Sequence, residues 1–221
     1  MNTKTLDITC DFDHVYRVRM DDGNTRAVPS VTTIMKDVGY YPWVFNEKKD
    51  DGEIVFPTEA EDQRKTAAMR GTEVHKITED MDRENQVGPI DIDILPYVNA
   101  YKTFREENNI IVTEIEAFVH NEEFWYAGAL DRVMTINGVP SIVDLKTGAE
   151  LDTTGIQLAA YQFAWEKMGG DKGLARFALH LKPNGNYKLV PYRSREDLAN
   201  FLAAVRVYHF KRRNEKNEST L

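Results

Sequence analysis

The sequence predicts a mixed α/β fold, in which a central sheet is flanked by helices. Extended apolar runs recur at 110–120, 124–136 and 139–146, and Asn137-Gly138 between the last two is a strong two-residue hairpin signal. Helical periodicity recurs on both sides of that block, at 58–83 and 94–108 before it and 154–168 after it. Two mostly apolar hairpin arms surrounded by helices read as one sheet covered by helical layers.

Composition sets the bounds. The chain has 221 residues, enough for one ordinary to large domain or two small ones; a single domain over 1–213 with a polar tail at 214–221 is the expectation. Hydrophobic residues are 42% and charged residues 29%, the profile of a soluble globular protein. No apolar run approaches the ~20 residues that span a bilayer, and MNTKTLDITCDFDH at the N-terminus lacks an apolar signal core, so no membrane partner is expected. Cys10 is the single cysteine, which excludes an internal disulfide or a cysteine-ligated zinc site and fits a reducing cytoplasm. A net charge of −8 argues against non-specific coating of nucleic acid, which needs a broad basic field. A local nucleic-acid groove stays compatible with it.

In chain order, residues 13–28 read as a hairpin turning at Asp21-Asp22-Gly23-Asn24. Ser30 then caps a short helix, Val31 to Asp37, stopped near Gly39. PSVTTIMK is hydroxyl-rich at that helix start, which suits capping or a phosphate contact. Tyr40-Tyr41-Pro42-Trp43-Val44-Phe45 is an aromatic cluster, read as core packing or a base-stacking platform, and 46–57 is a charged loop. Gly71 interrupts the helical pattern at 58–83, in Arg70-Gly71-Thr72-Glu73-Val74-His75, and His75 lies one turn on, on the same face. Glycine costs a helix about 1 kcal/mol against alanine and is tolerated where something approaches the backbone.

A second helix at 94–108 presents Leu95, Val98, Tyr101 and Phe104 on one side. In the strand 110–120, Glu114 and Glu116 share a face by period two. Gly128 interrupts the next strand before Asp131. Past 146 comes a loop, then a helix over 154–168 with Gln157 and Tyr161 on one face, ended by Gly169-Gly170. A hairpin follows, 174–181 with 187–192, and Ser194 caps a last helix to about Arg213. Basic residues are scattered: Arg64, Lys65 and Arg70; Lys182 and Lys188; Lys211 to Arg213.

The chemistry gathers at Ile142-Val143-Asp144-Leu145-Lys146-Thr147-Gly148. Alternation puts Asp144 and Lys146 on one side of the strand, as a salt bridge or as a metal ligand beside a charge-neutralising amine. With a two-residue loop at 137–138, paired positions sum to about 275, and Asp131 faces Asp144 across the hairpin. Opposed carboxylates repel unless a cation lies between them. All-oxygen ligands favour Mg²⁺ or Mn²⁺, and Glu116 on the preceding strand offers a third carboxylate, with Glu114 as its competitor.

His75, Glu116, G-x-x-D at 128–131, D-L-K at 144–146 and Q-x-x-x-Y at 157–161 together resemble the PD-(D/E)XK nuclease superfamily. The resemblance is to the subset of RecB-type nuclease domains, lambda-type exonucleases and the mitochondrial genome-maintenance exonuclease, and PSVTT at 29–33 resembles that subset's N-terminal motif. It implies a restriction-endonuclease-like fold and metal-dependent hydrolysis of DNA, exonucleolytic from ends or single strands, in recombination, replication or repair, as in stand-alone phage enzymes. A structure-selective or nicking endonuclease and a catalytically silent DNA-binding module are the alternatives. The implied metal ligands are Asp131, Asp144, the Leu145 carbonyl, Glu116 and His75. Lys146 would orient or help deprotonate the attacking water, and Gln157 and Tyr161 would position Lys146 and the scissile phosphate. Ser30, Arg70, Thr147 and Tyr161 are the implied substrate contacts. Leu130 replaces the proline that the family pattern places before its first aspartate, and the four-cysteine cluster of some relatives cannot form. The partner expected is DNA; a monomer is favoured, with the oligomeric state not fixed by the sequence.

Overall fold

The computed structural model describes residues 8–11, 15–20, 22–40 and 59–218, without the side chains of 59–61, 64 and 215–218. The expected aromatic run beyond Tyr40, the 46–57 loop and the Arg64 side chain lie outside the described residues.

Five strands form the main sheet in the order β4 (Ile110–Asn121), β5 (Tyr126–Ile136), β6 (Val139–Lys146), β7 (Ala175–Leu181), β8 (Tyr187–Pro191). All neighbours are antiparallel except β6 and β7, whose parallel pairing needs a crossover. Helix α4 (Thr153–Lys167) supplies it. The β5–β6 turn is set by Asn137 and Gly138, both at positive φ (50° and 84°), the pair of left-handed residues that a twisted two-residue hairpin requires.

Helices cover both faces. On one, α2 (Glu59–Asp82) and α3 (Leu95–Glu107) bury Val74, Val98, Tyr101 and Phe104 against Met134, Val143, Leu145 and Leu179. On the other, α1 (Val31–Asp37), α4 and α5 (Glu196–Glu218) bury Ile34, Leu158, Tyr161 and Phe201 against Val133 and Ile142. The expected sheet with helical layers is therefore present, mixed in strand direction.

A smaller antiparallel sheet precedes it: β1 (Ile8–Cys10), β2 (Tyr16–Arg19) and β3 (Thr25–Val28). The β2–β3 hairpin was legible in the sequence; the short β1 was not. Tyr16, Val18 and Val28 pack on Ala127 of β5, and the Ala127 N–H donates to the Pro29 carbonyl at 3.0 Å. Ser30 then caps α1 as expected, accepting from the Thr33 N–H at 2.9 Å.

Two expectations change. The last helix does not stop near Arg213: α5 continues to Glu218 through most of the stretch read as a polar tail. Glu215, Lys216 and Glu218 there are good helix formers, so a polar sequence extends the helix beyond its buried stripe. Gly71 does not interrupt α2. A Cβ there would meet the Thr147 hydroxyl at 3.7 Å, an ordinary contact, so close approach does not demand glycine at this position. No helix among the described residues is long and apolar enough to cross a membrane.

Candidate active site

The β5–β6 ladder follows the expected register from Ile136↔Val139 to Arg132↔Val143 and then stops. One residue further, the Leu145 N–H donates to the Asp131 carboxylate at 2.7 Å. A side chain thus takes over where backbone pairing ends, and Asp131 is anchored where the strands part.

Helix α2 lies alongside. Gly71 faces Thr147, and one turn on, the His75 ring has Nε2 3.0 Å from the Leu145 carbonyl. Its Nδ1 is 3.6 Å from Asp131 Oδ2 and 3.9 Å from Glu116 Oε1. His75, Glu116 and Asp131, from α2, β4 and β5, bring one ligand atom each within 4.8 Å of one another. Burial opposes a charge on His75, but the Asp131, Glu116 and Asp144 carboxylates prevail and hold its pKa up to about 9. At neutral pH an imidazolium therefore supplies the positive charge that these carboxylates require.

Glu116 reaches this cluster by a local distortion. The β4–β5 register shifts between Val112 and Glu114, where the Thr113 hydroxyl donates to the Val133 carbonyl at 3.0 Å. Glu116 itself has φ of 51°, a left-handed conformation that costs a non-glycine residue on the order of 1–3 kcal/mol. Glu114, the competitor by period two, is thereby separated from Glu116. Glu114 is exposed, while Glu116 accepts from Arg132 Nη1 at 3.2 Å as well as facing His75.

Asp144 and Lys146 stand next to the triad, with Lys146 Nζ 2.7 Å from Asp144 Oδ2. Asp144 is 3% exposed. Burial pushes its carboxyl pKa up, Lys146 pulls it down, and Asp131 pushes it up again, leaving it raised. Asp131 thus acts on Asp144 through space, but the expected direct pairing of the two is not a ladder pair, and Asp144 is not among the three residues that converge. Each also has a partner of its own, Leu145 N–H for Asp131 and Lys146 for Asp144, and this relieves the repulsion expected from the sequence.

Behind Lys146 runs a short hydrogen-bond chain. Lys146 Nζ donates to Gln157 Oε1 at 3.4 Å, and Gln157 Nε2 donates to the Tyr161 hydroxyl at 3.1 Å. Burial keeps that hydroxyl protonated, with its pKa well above the ordinary value. The Tyr161 ring lies over Gly128, where any Cβ would come within 2.5 Å of it, and this gives the glycine of G-x-x-D a physical reason.

The remaining sequence candidates are more dispersed. Ser30 bridges to Ala127, beside Gly128, with its hydroxyl engaged by Thr32 and Thr33. Thr147 lies against Gly71. Arg70 is turned toward α3, its guanidinium 5.2 Å from the Tyr97 ring centre, and does not join the triad. Lys182 and Lys188 both pair with Glu150.

Sequence reasoning missed Arg132 and Asp82. Arg132 is fully buried, with Nε 2.6 Å from Asp82 Oδ2. Tyr101 and Arg105 also bond that aspartate, at 2.6 and 2.8 Å, and Arg132 Nη1 donates to the Asp131 carbonyl at 2.7 Å. The signal was present: in LDRVMTI, alternation aligns Arg132 with Met134 and Ile136, and a buried guanidinium requires an acid.

The residues present fit a divalent cation: two carboxylates and an imidazole converge, and a proton on His75 holds the place of positive charge. A family model for the PD-(D/E)XK nuclease superfamily matches residues 92–213, more than half of the chain. No curated protein matches the sequence.

Proposed function

The chain belongs to the PD-(D/E)XK nuclease superfamily, and from that premise we propose that it is a Mg²⁺- or Mn²⁺-dependent deoxyribonuclease acting exonucleolytically on DNA ends or single strands. The mixed sheet with helices on both faces agrees with a restriction-endonuclease-like fold. The observation that carries the proposal is the His75–Glu116–Asp131 convergence beside the Asp144–Lys146 pair.

In this reading Asp131, Glu116 and His75 hold the metal ion, with Asp144 and the Leu145 carbonyl completing its surroundings. When bound, the ion polarises the phosphodiester and lowers the pKa of water. The chain's own residues do the rest. Asp144 and Gln157 hold the Lys146 ammonium in place, where it orients the attacking water and stabilises charge developing on the phosphate. Tyr161 fixes the Gln157 amide, so that its oxygen faces Lys146. Ser30 and Thr147 would meet flanking phosphates, and Tyr161 the scissile one. Arg70 is a more remote contact, on the α3 side. The RecB- and lambda-exonuclease-like subset, a cytoplasmic location and a role in phage-type recombination, replication or repair belong to the same proposal.

The test is incubation of end-labelled linear DNA and closed circular DNA with Mg²⁺, Mn²⁺ or chelator. Loss of linear DNA alone, abolished by chelator, is the expected result. Cutting of the closed circle would favour the endonuclease instead, and intact DNA of both kinds would favour a silent binding module.

A further inference from the structure

We infer that a groove between the β4–β5 turn and the C-terminal half of α5 is a second binding site, made for a single-stranded stretch of DNA. Its link to catalysis rests on the nuclease reading above, but its chemistry does not. The groove has a volume of about 700 Å³ and is lined by Glu123, Phe124 and Trp125 from the turn, Ala27 of β3 with Pro29 just after it, and one face of α5 between Val205 and Arg213.

Its surface joins aromatic rings to guanidinium groups. Arg206 lies 6.0 Å from the Phe124 ring centre, and Arg212 lies 5.3 Å from that of Tyr208. Arg213 is exposed beside them. A chain of net charge −8 thus places Arg206, Lys211, Arg212 and Arg213 within about two turns of one helix. The nearby carboxylates are engaged. Glu123 pairs with Lys167 at 3.0 Å, and Asp37 pairs with Lys211 and Arg212 at 3.2 and 3.5 Å. Among the described residues Arg206 and Arg213, both exposed, pair with no carboxylate and can meet an anion from outside. Alternating π-faces and cations suit bases and phosphates together, and base stacking works without reading sequence. An acidic peptide would use the cations but leave the rings unstacked.

The groove is also built in advance. Trp125 has φ of 53°, a conformation that a bulky residue rarely adopts. Its indole N–H donates to the Ala27 carbonyl at 3.3 Å. His209 Nε2 reaches across from α5 to the Phe124 and Trp125 carbonyls at 3.1 and 3.2 Å. A turn held in this way loses little freedom when a ligand arrives. The turn terminates the same two strands that carry Glu116 and Asp131. Five residues of strand at about 3.4 Å each separate them, about 17 Å. A few nucleotides of single strand bridge that distance. The groove would therefore hold a single strand some nucleotides away from the bond being cut.

The test compares the wild-type chain with the double variant Arg206→Ala/Arg213→Ala, both exposed positions. Binding of a 20-nucleotide single strand is followed by fluorescence anisotropy in EDTA across salt concentrations. Cleavage of 20- and 4-nucleotide strands is followed with Mn²⁺. In the variant, the Kd for the 20-mer should rise about tenfold, and the slope of log K against log salt should shrink by about 1.4, for two phosphate contacts at about 0.7 each. Cleavage of the 4-mer should be unchanged. Unaltered affinity and slope would overturn the proposal, as would wild-type binding of poly-glutamate with the affinity of the DNA strand. If no DNA is cleaved but the binding loss appears, the nuclease reading fails while the groove stands.

Discussion

Asp131 and Arg132 are neighbours in sequence, yet their charges are treated in opposite ways. Arg132 is fully buried and saturated, with Asp82 at 2.6 Å, that acid being shared with Tyr101 and Arg105. Asp131 keeps 12% of its side chain exposed, and its nearest cation, His75, stands off at 3.6 Å. Around it, Glu116 is 30% exposed and bent into a left-handed conformation, and His75 carries a proton that three carboxylates hold on it. One charge network is complete without a ligand and fixes the strand. The other is assembled with bonding capacity left over. Strain and incomplete pairing mark the side of β5 proposed to be functional; short, buried, fully shared contacts mark its scaffold.

The sharpest way to break this contrast is at Arg132. Arg132→Ala leaves Asp82 buried without its main partner and should cost about 3–5 kcal/mol in urea unfolding. A loss below about 1 kcal/mol would mean that the network is not structural. Arg132→Met with Asp82→Leu and Tyr101→Phe should restore part of that stability, because apolar groups of similar size replace the buried ion pair and the hydroxyl that shares it. Cleavage should stay impaired, since Glu116 would lose its Arg132 anchor.

On the functional side the balance reverses. Lys146→Ala should lower cleavage by on the order of 10²–10³-fold, the usual effect of removing a group that stabilises transition-state charge. Its melting temperature should fall by less than that of Arg132→Ala, because buried Asp144 loses its ion-pair partner but can take up a proton instead. Near-normal cleavage in this variant would remove it from the mechanism.

The core of this site was legible because its parts are local or periodic. Asn137-Gly138 fixes the hairpin, its register runs as expected to Arg132↔Val143, one pair short of Asp131 and Asp144, and helical spacing aligns Gln157 with Tyr161. What stayed hidden arises from distortion or distance. No glycine or proline announces the register shift after Val112 or the left-handed Glu116, so period two treated Glu114 and Glu116 alike. Asp82 and Arg132 are fifty residues apart and meet only once α2 lies on the sheet. At the chain end, a stretch read as a polar tail continues the last helix to Glu218.

Smaller effects sharpen the comparison further. His180, on β7 across from Lys146, is fully buried; burial, with the Lys182 charge adding to it, pulls its pKa below the ordinary 6.5. The folded state keeps it neutral, so as pH falls below about 6.5 the unfolded chain gains a proton that the folded chain refuses. Stability should therefore fall on acidification, by at most about 1.4 kcal/mol per pH unit from this group, and His180→Asn should show a smaller fall between pH 7 and pH 5. An identical fall in both proteins would contradict the assignment. Smallest of all, Gly71→Ala should stabilise α2 by about 0.5–1 kcal/mol, because the space beside Thr147 admits a methyl group. Destabilisation would mean that the backbone approach is tighter than the structure has it.

The central claim is that the loosely paired side of β5 is a metal centre. Thermal unfolding with increasing Mn²⁺ tests it most directly, comparing wild type with Asp131→Asn. The wild-type melting temperature should climb with Mn²⁺, by the equivalent of about 2.7 kcal/mol at a hundred times Kd, and the variant should stay nearly flat. Equal shifts in both proteins, or none in the wild type, would contradict it.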